Sequence, residues 1–130
     1  MSVDTFDPGA LHASMDRAAV DQVCEIARSF EGDTLSLTEL QIKRFTPLVT
    51  HGDWAVRAQS CTDEELQGLI RIFTLGEMQF AGWKAGEKSA VIALVRELKK
   101  RGSYDKSLTQ WIKSHTDNRF LPHGSLLDRL

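Results

Sequence analysis

Three prolines in 130 residues are too few for an extended or low-complexity chain. The 42% hydrophobic and 26% charged residues are those of an ordinary globular protein, which excludes wholesale disorder. Only two cysteines occur, Cys24 and Cys61, and they form no C-x-x-C pair. That excludes a disulfide framework. They are expected as free thiols in a reducing compartment, with a Cys24–Cys61 bridge as the lesser alternative. No apolar run approaches the ~18 residues of a membrane span. The first residues, Met1 to Asp7, are acidic and hold no apolar stretch. They do not read as a secretory leader, so the expected location is cytoplasmic. There are no internal repeats, and no segment alternates apolar and polar residues about a hairpin turn.

Catalytic and metal signatures are missing too. His12, His51, His115 and His123 form no H-x-x-x-H, H-E-x-x-H or Cys/His pair at ligand spacing. Gly82-Trp83-Lys84-Ala85-Gly86-Glu87-Lys88-Ser89 comes nearest to a phosphate loop. Glu87 stands between Gly86 and Lys88, where its charge repels phosphate, and no buried strand precedes it. Cys61 lies beside a helix start that lowers a thiol's pKa, but Asp63, Glu64 and Glu65 oppose that effect. Neither Cys61 nor the pair Ser125 and His123 has the context of a known nucleophile motif. A small enzyme using one of them is the third-ranked reading. No catalytic residue, metal or cofactor is assigned.

What is present is helical. Asp7 as N-cap and Pro8 at the first helical position open one amphipathic run. Leu11, Met15, Ala18, Ala19, Val23, Ile26, Ala27 and Phe30 fall on one face, and Gly32 ends it. Ser36 and Glu39 have capping-box spacing for a second helix, with Leu37, Leu40, Phe45, Leu48 and Val49 inward and Pro47 ending or kinking it. His51-Gly52-Asp53 reads as a turn, with Asp53 capping a short helix through Trp54, Val56 and Ala58. Thr62 and Glu65 form the clearest capping box. Leu66, Leu69, Ile70, Phe73 and Phe80, widened by Ile72, Leu75 and Met78, make that third helix central. After a loop over 81–88, Ser89 caps a fourth helix with Val91, Ile92, Leu94, Val95 and Leu98 inside and Gly102 as its stop. A fifth begins near Asp105 with Leu108, Trp111 and Ile112 as core. The expectation is a single all-α domain, an irregular orthogonal bundle of five to six helices. Residues 1–7 form an arm and residues 117–130 a non-helical tail.

The tail is unusual for a terminus. It carries Phe120, Leu121, Leu126, Leu127 and Leu130, while Pro122 and Gly124 forbid one helix. It is expected to dock on its own domain, with Arg119 meeting a carboxylate of the acidic first half.

Charge is asymmetric. Residues 1–66 hold 5 basic and 12 acidic side chains, and residues 84–119 hold 9 basic and 4 acidic. The preferred reading is mutual attraction within one domain. The leading functional expectation is a non-catalytic adaptor or regulatory domain that binds another protein or a second copy of itself. Trp83, in a glycine-flanked loop, and Phe120, Leu126 and Leu127 are its candidate anchors. The alternative is a nucleic-acid-binding regulator using Lys88, Arg96, Lys99, Lys100, Arg101, Lys106 and Lys113. On that reading the last two helices, joined by Gly102-Ser103-Tyr104, have a helix-turn-helix outline.

Overall fold

Thr62 opens the helix around which the fold is organised. Its hydroxyl accepts from the Glu65 amide at 3.1 Å, and the Glu65 carboxylate accepts from the Thr62 amide at 2.8 Å. This is the anticipated reciprocal cap. A computed structural model describes residues 14–124. Among the described residues six α-helices follow in order: α1 (Arg17–Arg28), α2 (Glu39–Phe45), α3 (Trp54–Arg57), α4 (Asp63–Gln79), α5 (Ala90–Arg101) and α6 (Lys106–His115). Single 3-10 turns over Thr46–Leu48, Ala58–Ser60, Ala81–Trp83 and Gly86–Lys88 join them. No strand occurs among the described residues, so the fold is all-α. Asp7, Pro8, Leu126, Leu127 and Leu130 lie outside the described residues.

The first helix is shorter than its apolar period implies. Residues 14–16 are not helical, and Asp16 caps α1 by accepting from the Ala18 amide at 3.0 Å. An aspartate that takes a first-turn amide competes with continued helix. At the other end the Ser29 and Phe30 amides close on the Ile26 and Ala27 carbonyls, so α1 stops before Gly32.

The second cap is displaced as well. Thr38 and Gln41, not Ser36 and Glu39, make the reciprocal box. The reason is long-range: the Gln79 side chain donates to the Leu35 carbonyl at 3.0 Å and accepts from its amide at 3.2 Å. That keeps the chain out of helix until Thr38. Within α2, Ile42 and Phe45 point inward, and Leu40, expected inside, is 77% exposed on the opposite face. Pro47 lies in the 3-10 turn that ends this helix, as its missing N–H requires. Asp53 sits before α3 without capping it; its carboxylate accepts from the Met15 amide at 3.4 Å.

Later starts and stops are local and match expectation. Ser89 accepts from the Val91 amide at 3.1 Å, Asp105 accepts from the Ser107 amide at 2.9 Å, and Gly102 ends α5 at φ 75. Trp111 is a partial exception to its expected core role. It is half-buried, donates its ring N–H to Asp33 at 3.1 Å and stacks on His115.

α4 packs against α1, α5 and α6 and against the turn at Ala81–Trp83. Leu66, Leu69, Ile70, Ile72 and Phe73 are all buried on it, together with Leu94 and Leu98 of α5 and Ile112 of α6. Met78, near its end, is half-exposed and does not widen the core. Arg28 of α1 meets Glu65 of α4 at 2.7 Å. Burial would raise the Glu65 carboxyl, but the Thr62 amide and Arg28 outweigh it and hold it below the usual carboxylate range. What Glu65 adds to stability is therefore present above its ordinary pKa of 4.5 and is lost as pH falls through the lower folded value.

Candidate functional site

The end of α4, the 81–88 connection and the first tail residues converge on one surface. Trp83, expected to face a partner, lies beneath it and is fully buried. Its ring N–H donates to the Thr46 hydroxyl at 3.0 Å and to the Ile42 carbonyl at 3.3 Å. Its ring packs against Phe80 at 5.1 Å and Phe73 at 5.9 Å. Gly76 makes room for the indole: a Cβ there would stand 3.2 Å from ring atom Cδ2 and closer still to two others. Trp83 is thus a core residue, because α4 offers it a slot that only glycine leaves open.

Glu77 ties the three segments together. It is buried, and its carboxylate accepts from the Ala85 amide at 2.9 Å and the Gly86 amide at 3.3 Å. It also accepts from the Asn118 side-chain amide at 3.0 and 3.1 Å. The same Asn118 nitrogen donates to the Gly86 carbonyl at 3.0 Å. Beyond this latch Leu121 and Pro122 are buried and Phe120 is half-buried, so the tail lies on its own domain as far as Gly124. Arg119 does not meet a carboxylate among the described residues. Its guanidinium lies over the Phe120 ring, 5.7 Å from the centroid.

These groups border an open groove of about 430 Å³. Met78 and Phe120 supply apolar surface, Lys84 and Arg119 supply cations, and Asp117 supplies one exposed carboxylate. Glu77 and Asn118 were not singled out by sequence reasoning, although one signal pointed to Glu77. An acid in the last turn of a helix opposes the dipole and must find donors elsewhere. Glu77→Gln keeps the shape, but with its oxygen on the Ala85 and Gly86 N–H groups its NH2 must face the Asn118 NH2 donor. It is expected to lower stability by about 1–3 kcal/mol in a denaturant titration. An unchanged midpoint would show that the latch contributes nothing.

The basic residues do not act as one set. Arg101 is committed internally: it donates to Asp63 at 2.9 Å, to Glu97 at 2.8 Å and to the Ala58 and Gln59 carbonyls at 2.9 and 3.2 Å. Lys99 lies 2.6 Å from the His123 ring nitrogen and over the Tyr104 ring, and burial, aided by Arg96, holds it below the usual lysine range. Arg96 and Lys100 line a small groove of about 130 Å³ with Ala55, Gln59 and Glu97. Lys88, Lys106 and Lys113 are exposed on the 86–88 turn and on α6. On the would-be recognition helix, Thr109 is bonded to the Tyr104 hydroxyl, and Leu108 and Ile112 are buried.

Among the described residues no group of three or more His, Cys, Asp or Glu side chains could hold a metal ion. No helix among them is long and apolar enough to cross a membrane. Ser125 lies outside the described residues. No family model, curated protein or solved structure matches the chain.

Proposed function

We propose that this chain is a non-catalytic interaction domain, and that the groove between α4, the 84–86 connection and residues 117–120 takes an acidic segment of another protein. The observation that carries this reading is the pairing of Met78, 50% exposed, with Phe120 beside two cations, Lys84 and Arg119. An exposed methionine adapts its shape to an incoming apolar side chain. The groove holds two cations, Lys84 and Arg119, and two carboxylates, Asp117 and the buried Glu77; amide donors occupy the Glu77 oxygens, which leaves the cations as the larger part of the charge open to an acidic partner. The Glu77–Asn118 latch supports the reading further, because it fixes the groove wall before anything binds.

Met78 and Arg119 are both exposed, so a Met78→Ser/Arg119→Glu variant should melt as the parent does. In affinity capture from the source cells, the parent is expected to retain a partner with an acidic, apolar segment. The variant should bind that purified partner at least about tenfold more weakly, as expected for loss of a central anchor. Equal binding by parent and variant would refute the site. A dimer of the chain itself that dissolves in the variant would reassign the groove to a second copy.

A further inference from the structure

Lys99, Tyr104 and His123 come from α5, from the connection after it and from the tail, and they meet at one place. The Lys99 nitrogen lies 2.6 Å from the His123 ring nitrogen Nδ1, across 24 positions of sequence. It also stands over the Tyr104 ring, 5.5 Å from the centroid, and the Tyr104 and His123 rings meet edge to face at 6.2 Å. The Tyr104 hydroxyl is bonded to Thr109, which orients that ring. His123 and Tyr104 are half-buried, while Lys99 is exposed. The amine is thus held by its neighbours and still open to a reagent in solution.

The contact has a chemical direction. An ammonium has three donors and no acceptor, so the ring nitrogen that faces it carries a lone pair rather than a proton. His123 Nδ1 is therefore a base within the distance that proton transfer from Lys99 needs. Partial burial, followed by the charge of Arg96 three residues earlier, holds Lys99 below the usual lysine range and so raises its share of free amine. Arg96 and Lys100 are exposed on the same helix, and Glu97, the only acid on α5, is paired with Arg101. The charge around Lys99 favours an anionic reagent. A strap that merely pinned the tail would keep Lys99 an ammonium and make it less reactive than its exposed neighbours.

We propose that Lys99 is an acylation site, with an acyl phosphate as the donor and His123 as the acceptor of its proton. The Lys99 ammonium gives one proton to His123 Nδ1, which passes it to water. The amine then attacks the carbonyl carbon of the acyl phosphate. The carbon–nitrogen bond forms, and the bond from that carbon to the phosphate oxygen breaks. Phosphate leaves with the electron pair and takes up the second amine proton. Nothing is oxidised or reduced. The product is an uncharged amide, which gives up the cation held over Tyr104 and weakens the hold of α5 on the tail.

The test incubates the whole chain with acetyl phosphate at low conversion and locates acetyl-lysine by peptide fragmentation. Lys100, exposed and next in sequence, is the internal reference. Lys99 is expected to be acetylated at least about tenfold faster than Lys100, a modest share of what a positioned base contributes. His123→Asn keeps an acceptor oxygen but removes the base. It should bring Lys99 down to the rate of Lys100 and leave Lys100 unchanged. Loosening of the tail in that variant would only expose Lys99 further, so a fall in its rate reports the lost base. The parent comparison needs no variant, so it stands however the variant folds. Acetylation of Lys99 no faster than that of Lys100, or an unchanged Lys99 rate in His123→Asn, would each overturn the proposal.

Discussion

Gly68→Ala is expected to destabilise the domain by about 2 kcal/mol or more, although alanine is the better helix former. α1 crosses α4 so closely that a Cβ at position 68 would stand 2.7 Å from the Ala27 carbonyl carbon, 2.8 Å from its Cα, and closer still to its oxygen. Those atoms are backbone and cannot rotate away. Overpacking of this kind costs about 1–3 kcal/mol and sometimes more. The opposing gain from replacing glycine within a helix is at most about 1 kcal/mol. The helices must separate, and the packing of α1, where Val23 and Cys24 are buried, against α4, where Leu69 and Ile72 are buried, weakens with them. The check is a thermal melt, in which a fall of roughly 5–10 °C is expected. A second variant tests the cause. Adding Ala27→Gly should not rescue Gly68→Ala, because the obstacle is the Ala27 backbone rather than its methyl. Rescue, or a rise in melting temperature, would show that α1 and α4 do not cross as described.

Trp83→Ala is expected to cost about 3–5 kcal/mol, the range for removing a fully buried tryptophan. The indole fills the space over Gly76, bridges Phe73 and Phe80, and satisfies its N–H on α2 and the turn after it. No neighbour can close such a cavity without moving α4. Thr46 is not left stranded, since its hydroxyl still donates to the Ile42 carbonyl at 2.7 Å. The loss therefore comes from packing rather than from an orphaned polar group. Trp111→Ala is the comparison: that ring is half-buried on α6 and should cost about 2 kcal/mol or less. Equal losses at the two positions would contradict the core placement of Trp83.

Hydrogen bonds spanning two or three residues were legible in the order of side chains. Thr62 with Glu65, Ser89 with Val91, and Asp105 with Ser107 each satisfy a free helix-terminal amide within one turn. Gly102 accepts a left-handed backbone that other residues resist. The all-α class, the central place of the 63–79 helix and the identities of most core residues followed from such signals and from the apolar period. Choosing between two equally good caps did not. Ser36 and Thr38 both have a partner three residues on, and Gln79, 44 positions from Leu35, decided between them. The candidate groove has the same origin, because Asn118 reaches Glu77 across 41 positions. Trp83 turned inward because Gly76 left a slot, and α1 lies close on α4 because Gly68 lets the two backbones touch. A local rule compares residues one turn apart. These outcomes rest on which surfaces pack together after the helices form, and close packing fixes that choice only in three dimensions.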